Sequence, residues 1–393
     1  MLLSRFLLGC FLGSFLLIGC TADQEPNGTS DLPQATVTVY DSIPLHNDSI
    51  TYPYVNIDKL GKDSLLAFSF PSLHLYLLDS TGRIVQTINQ KGNLKGQFRN
   101  VFIDPLWGPD GRLYVLEQGS GSRVTVFDHQ LHYAYSAPAL QDQDQYFLSL
   151  IQASSVARAD PKGVQIVSSI SNNVYSKYLR ELYEEMSSIV SFFITGADVS
   201  AAQLALPYQD FSSVQQSLQQ DQKNWDEPTA YFDYADGLYY VKYEFDDRVY
   251  VYDDTFTRQR EIELHPAYPG RSYHSPLRKP EGATEQLASD FVLRYSRPYY
   301  YSIAVADNKI FTLYARPEAE EAIPRTIAEE QEFISFPVLH IYDLETGEEY
   351  SADLGYRFDP YAKVYPRENG DICLIGNTKL REDIYLYKCK LSY

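Results

Sequence analysis

A short turn-and-strand unit recurs along this chain, and no other feature narrows its fold as much. Asp110-Gly111-Arg112-Leu113-Tyr114-Val115-Leu116 is followed by Arg123-Val124-Thr125-Val126-Phe127-Asp128. Asp236-Gly237-Leu238-Tyr239-Tyr240-Val241 leads to Arg248-Val249-Tyr250-Val251-Tyr252-Asp253. Asp307-Asn308-Lys309-Ile310-Phe311-Thr312-Leu313 leads, after a long loop, to Val338-Leu339-His340-Ile341-Tyr342-Asp343. Asn369-Gly370-Asp371-Ile372-Cys373-Leu374 leads to Ile384-Tyr385-Leu386-Tyr387, and near the start Ser64–Phe70, Leu73–Asp79 and Arg83–Ile88 follow the same plan. Each unit is a Gly or Asn turn, a short apolar strand, a loop and a second strand that in most copies ends in Asp. Short β units of this kind bury their faces by stacking on one another, which points to a propeller or a similar array. The 34 tyrosines and 20 phenylalanines agree, because aromatic side chains suit a pleated, half-buried surface. The predicted fold class is all-β, a β-propeller of about six blades.

The last unit offers strands near Tyr361–Tyr365, Asp371–Ile375 and Ile384–Leu391, and then the sequence ends. A four-stranded blade there lacks its outer strand. Thr36-Val37-Thr38-Val39-Tyr40 is a β-branched run without a partner of its own, so it is expected to supply that strand, cover the bare edge and close the ring. Residues 171–225 break the pattern. Tyr175, Tyr178, Leu179, Leu182, Tyr183, Met186 and Val190 fall at helical spacing, with Ser171 to Asn173 able to cap the start. This predicts an amphipathic helix to about Ser191 inserted in the third blade, and Phe211, Val214 and Leu218 predict a shorter second one.

In the second unit, Gly92-Asn93-Leu94-Lys95-Gly96-Gln97-Phe98 followed by Asp110-Gly111-Arg112-Leu113-Tyr114-Val115 resembles an NHL-type propeller repeat. The whole chain is similar to Bacteroidota lipoproteins of the domain-of-unknown-function 4221 type. The resemblance implies a six-bladed, NHL-like propeller in the cell envelope. It carries over no activity and no functional residue.

The N-terminus bears on location. A single positive charge, Arg5, precedes an apolar run from Phe6 to Ile18, the layout of a secretory signal peptide. The run is shorter than the roughly 20 apolar residues that a membrane-spanning helix needs. Leu17-Ile18-Gly19-Cys20 resembles the lipobox of bacterial lipoproteins. The expected organisation is therefore a signal peptide at 1–19, a lipidated tether at 20–35 beginning with Cys20, and a propeller domain at 36–393. Asp23 and Glu25 resemble the acidic export signal of Bacteroidota surface lipoproteins, and Thr21 stands where an Asp would signal inner-membrane retention. The outer membrane is favoured, with the periplasmic or cell-surface side open.

The formal net charge is −19, and removing residues 1–19, whose one charged side chain is Arg5, makes it one unit more negative. So acidic a surface repels phosphate backbones, which disfavours nucleic acid as a partner. Cys373 and Cys389 are a candidate disulfide, since an exported protein meets an oxidising compartment. Directly opposed residues of a hairpin centred on Arg381 would carry these numbers. No metalloprotease, P-loop or EF-hand motif is present, and no catalytic motif was found. His129 and His132 are spaced to point to opposite faces of a strand. Asp246-Asp247 and Asp253-Asp254 read as turn formers before they read as calcium ligands. No metal site and no cofactor are expected.

The lead to function is geometric. In a propeller, the loops between second and third strands share one face with the loops that join blades, and such loops carry ligands. Lys91–Arg99, His265–Arg297 and Arg316–Glu332 should meet there. Lys95, Arg99, Arg271, Tyr273, His274, Arg278 and Arg297 are the candidate binding face. The bland alternative is that these cations answer local carboxylates in ordinary surface pairs. Two functions follow: a lipid-anchored binding or scaffold module for an envelope glycan, peptide or protein, or an envelope hydrolase or lyase with its site at the channel mouth. The lack of a catalytic motif leans toward the first.

Overall fold

The computed structural model describes residues 32–45, 53–56, 65–69, 74–89, 92, 97–98, 102–118, 122–140, 146–148, 154–172, 174–223, 229–271, 273–277, 283–367, 369–377 and 384–393. Cys20, the stretch expected to be a lipobox and the expected tether up to Asp31 lie outside them, as do Lys95, Arg99, Arg278 and Arg381.

Five four-stranded antiparallel sheets span 53–89, 102–138, 230–263, 299–353 and 365–392, the last with 36–44 as its fourth strand. In the first four, strand order follows chain order, so each is an up-and-down blade. A sixth sheet, 146–207, lies between the 102–138 and 230–263 blades and has six strands. Sheets that neighbour one another share buried clusters. Leu66, Phe98 and Val115 fill one seam, Val249, Ile303 and Ile310 another, and Tyr76, Leu78 and Ile375 join the last blade to the first. The sheets thus form a continuous ring.

The blade turns explain the recurring Asp. Asp79 accepts from the backbone of Thr81 and Arg83, Asp128 from Gln130 and His132, Asp253 from Thr255 and Thr257, and Asp343 from Glu345 and Thr346. Each carboxylate stands at the end of a third strand and satisfies the amides of the hairpin that starts the outer one.

Three expectations need correction. About six like blades become five four-stranded ones. Where another was expected, Gly163–Asn172 is long enough to pair first with Ser155–Asp160 and then with Tyr146–Leu148, while Ser187–Thr195 takes two outer partners, Asp198–Val199 and Gln203–Pro207. The long amphipathic helix also fails. Helix α1 is only Arg180–Glu185, Ser171 lies inside a strand, and the residue before the helix, Leu179, makes no side-chain cap. Ser187–Thr195 is a strand whose Ile189, Val190, Phe192 and Ile194 are all buried. Only Val190 of the predicted stripe lies in this strand; Tyr178, Leu182, Tyr183 and Met186 are buried from a turn and from α1 and its end, so the helical spacing marks buried positions and not one long helix. The second helix, α2, is present at Ser212–Gln220 and packs Phe211 and Val214 into the core.

The third correction concerns the cysteines, which are free and buried. In the last blade Ile372 opposes Cys389 and Cys373 opposes Lys388. This one-residue offset sends the thiols to opposite faces of the sheet. Cys373 packs toward the 53–89 blade with Tyr76, and Cys389 toward the 299–353 blade with Leu339.

The outer strand of the last blade is Thr36–Pro44, which runs antiparallel to Tyr385–Ser392. Just before it, Pro33 and Ala35 bond to both backbone groups of Ser351 on the outer strand of the neighbouring blade. The incoming chain thus lies along one blade edge before it joins the next.

Candidate functional site

Alternation of strand direction puts the connections 264–298, 316–336 and 354–364 at one end of the ring. Helix α3, Ala283–Tyr295, forms within the first of these. Its Phe291 and Tyr295 recur at i, i+4 and meet Ile323 and Phe333 of the second connection. Pro298 sits just past the helix and excludes the helical conformation from Arg297. Helix α4, Ile327–Glu332, starts with a reciprocal cap: Thr326 accepts from the Glu329 amide, and Glu329 accepts from the Arg325 amide. Tyr295 donates to Glu330 at 3.1 Å, and Arg294 lies 3.6 Å from the same carboxylate. The two connections are one packed structure, not two loose loops.

A second brace comes from the 174–223 segment. Gln222–Lys223 pairs with Ser275–Pro276. Tyr178 donates to Asp290 of α3 at 2.6 Å, and Lys177 lies 3.2 Å from that carboxylate. Asp290 is buried, so these contacts offset the cost of keeping its charge away from water.

The candidate residues distribute unevenly on this loop face. Arg271, Tyr273 and His274 are exposed and adjacent in sequence. The Arg271 guanidinium lies 3.9 Å from Glu320, with both side chains more than half exposed, so the pair is weak. Arg297 belongs elsewhere. Its side chain is 13 % exposed, and Nη2 lies 3.7 Å from Asp247 while Nε is buried without a hydrogen-bond partner. Lys95, Arg99 and Arg278 lie outside the described residues.

Beneath Arg297 is a charged group that sequence reasoning missed. Lys242 is fully buried between the 230–263 and 299–353 blades, and Nζ has no hydrogen-bond partner. It sits 3.4 Å from the centre of the Tyr300 ring, whose hydroxyl donates to Asp247 at 3.0 Å. Burial pulls the Lys242 amine down to about 7, and Arg297 adds to that, while Asp247 and Asp246 oppose it. Its one sequence signal was a lysine inside the apolar strand Leu238–Tyr243. Asp246, earlier weighed as a calcium ligand, instead accepts from Tyr250 at 2.6 Å and Ser213 at 2.8 Å.

Near the rim, Glu349 accepts from the His265 amide and ring and from buried His340, at 2.7 to 2.8 Å. Burial raises the Glu349 carboxyl, but these hydrogen bonds outweigh it and hold the group at about 2. Among the described residues, no group of three or more His, Cys, Asp or Glu is placed to hold a metal ion. His132 is exposed and pairs with Asp128 at 3.7 Å.

No family profile and no curated protein matches the sequence. Solved structures do match. A member of the DUF4221 family from Bacteroides vulgatus is 12 % identical, covers 91 % of this chain and 99 % of its own, and superposes with a TM-score of 0.65. A presumptive exported protein from Bacteroides fragilis is 11 % identical, covers 93 % and 98 %, and superposes at 0.53. At such identities the likeness is one of fold: this chain is an all-β propeller similar in architecture to proteins of Bacteroides whose function is unknown.

Proposed function

We propose that this chain is a lipid-anchored propeller of the bacterial outer membrane, of the DUF4221 type, that holds a glycan, peptide or protein partner on its loop face. The observation that carries this reading is the way that face is built. Helices α3 and α4 and the 174–223 segment are locked together by Asp290, Tyr295 and Glu330, yet leave Arg271, Tyr273 and His274 in solvent. A rigid platform with exposed aromatic and cationic side chains is what partner recognition uses. The anchor is supported by Leu17-Ile18-Gly19-Cys20, and no helix among the described residues is long and apolar enough to cross a membrane.

The test is capture from solubilised envelope by the intact chain and by the triple variant Arg271→Ala, Tyr273→Ala, His274→Ala. The wild type should retain a partner that the variant loses, with both proteins melting alike. Equal capture by the two overturns the binding face. Cys20→Ala should move the protein out of the detergent-rich phase of a phase-separating detergent; unchanged partition overturns the anchor.

A further inference from the structure

A cavity of about 560 Å³ opens on the rim between the 146–207 sheet and the 230–263 blade. One wall is the outer strand Gln203–Pro207, the other is the hairpin around Phe256, and Asp210 and Gln215 also line it. Its size falls within the roughly 300–1,000 Å³ that small-molecule sites span. A single amino acid or simple ion would leave most of it empty.

The lining argues the chemistry. The Tyr252 hydroxyl, the Asp210 carboxylate and the Gln203 carboxamide make no hydrogen bond to any described residue. Gln215 gives its NH₂ group to the Gln209 carbonyl at 2.9 Å, which leaves its oxygen free to accept. The only cation in the lining, Arg258, is committed at 2.7 Å to Glu261. With Arg258 so committed and the Asp210 carboxylate in the same lining, the cavity has no free cation to offer a phosphate or other strong anion. Apolar surface comes from Leu204 and from the Phe256 ring, which is stacked on Tyr239 at 5.0 Å. Leu206 holds a left-handed backbone at φ 55°, uncommon for a branched apolar residue, where it turns into the cavity wall.

Mixed donors and acceptors beside an aromatic ring suit a ligand with hydroxyls on its edge and C–H groups on its face. We propose that this rim cavity binds a neutral oligosaccharide. The site is separate from the loop face, and each stands or falls alone.

The probe is an array of neutral oligosaccharides, acidic oligosaccharides and free amino acids, presented to the purified full chain in detergent. Neutral sugars should be retained. Asp210→Asn and Gln203→Ala should each weaken the best one by about tenfold, the loss of one hydrogen bond, without moving the melting temperature. Arg271→Ala on the loop face should leave that affinity unchanged. Retention of acidic sugars or amino acids alone, of nothing, or of neutral sugars equally by wild type and both rim variants overturns the proposal.

Discussion

Lys242 shows what one side chain can do to a seam. Its methylenes fill apolar space, but its amine meets no acceptor and faces the Tyr300 ring. Below about pH 7 the amine is protonated both folded and unfolded, so it adds no pH slope. Between about 7 and the ordinary lysine value of 10.5, only the unfolded chain keeps the proton, so stability climbs with pH. Lys242→Met removes that climb and the desolvation cost beneath it. Chemical unfolding at pH 6.5 and pH 9 should show the variant at least as stable as wild type at the lower pH, with its advantage shrinking at the higher one. Parallel stabilities at both values would show that the amine is not desolvated. The turn carboxylates Asp79, Asp128, Asp253 and Asp343 were legible in the sequence, because an Asx turn is a local matter of a few neighbouring atoms. Lys242 was not, since its meaning depends on a ring some sixty positions away.

At the scale of elements, local and non-local information part again. The hairpins of the 102–138 and 230–263 blades could be read from Asp-Gly turns and apolar runs, because a short turn fixes its own strands. The strand Ser187–Thr195 could not, because burial on both faces erases the alternation that marks a strand. The candidate face was half legible. Reasoning from strand alternation put 265–297 and 316–332 together, and Arg294, Tyr295 and Glu330 join them, but it could not separate solvent-facing Arg271 from sunken Arg297. Helix α3 depends on one buried carboxylate for its docking. Asp290→Ala would remove the carboxylate that accepts from the buried Tyr178 hydroxyl and lies beside Lys177. A loss of about 3 kcal/mol in denaturant titration is expected. A loss below about 1 kcal/mol would mean that the aromatic packing of Phe291 and Tyr295 suffices.

For the whole molecule, the ring has one joint made by strands far apart in the chain, where Thr36–Pro44 lies on Tyr385–Ser392. Ile43 and Leu45 are buried there against Leu78 and Leu386. Removing residues 36–45 uncovers a strand edge and deletes these two side chains, a loss of roughly 3–6 kcal/mol. The truncated protein should unfold as a whole at lower temperature, in a single calorimetric transition. An unchanged midpoint would mean that the ring holds without its N-terminal strand. The same strand also decides how the molecule carries load. Pro33 and Ala35 bond to Ser351 in a single parallel bridge, and the antiparallel ladder, whose bonds run across the strands, follows at once. A pull applied at Leu32 along the strand would load these bonds in shear, so that they share it and do not open one at a time. A load on this end of the strand is thus shared by two neighbouring blades.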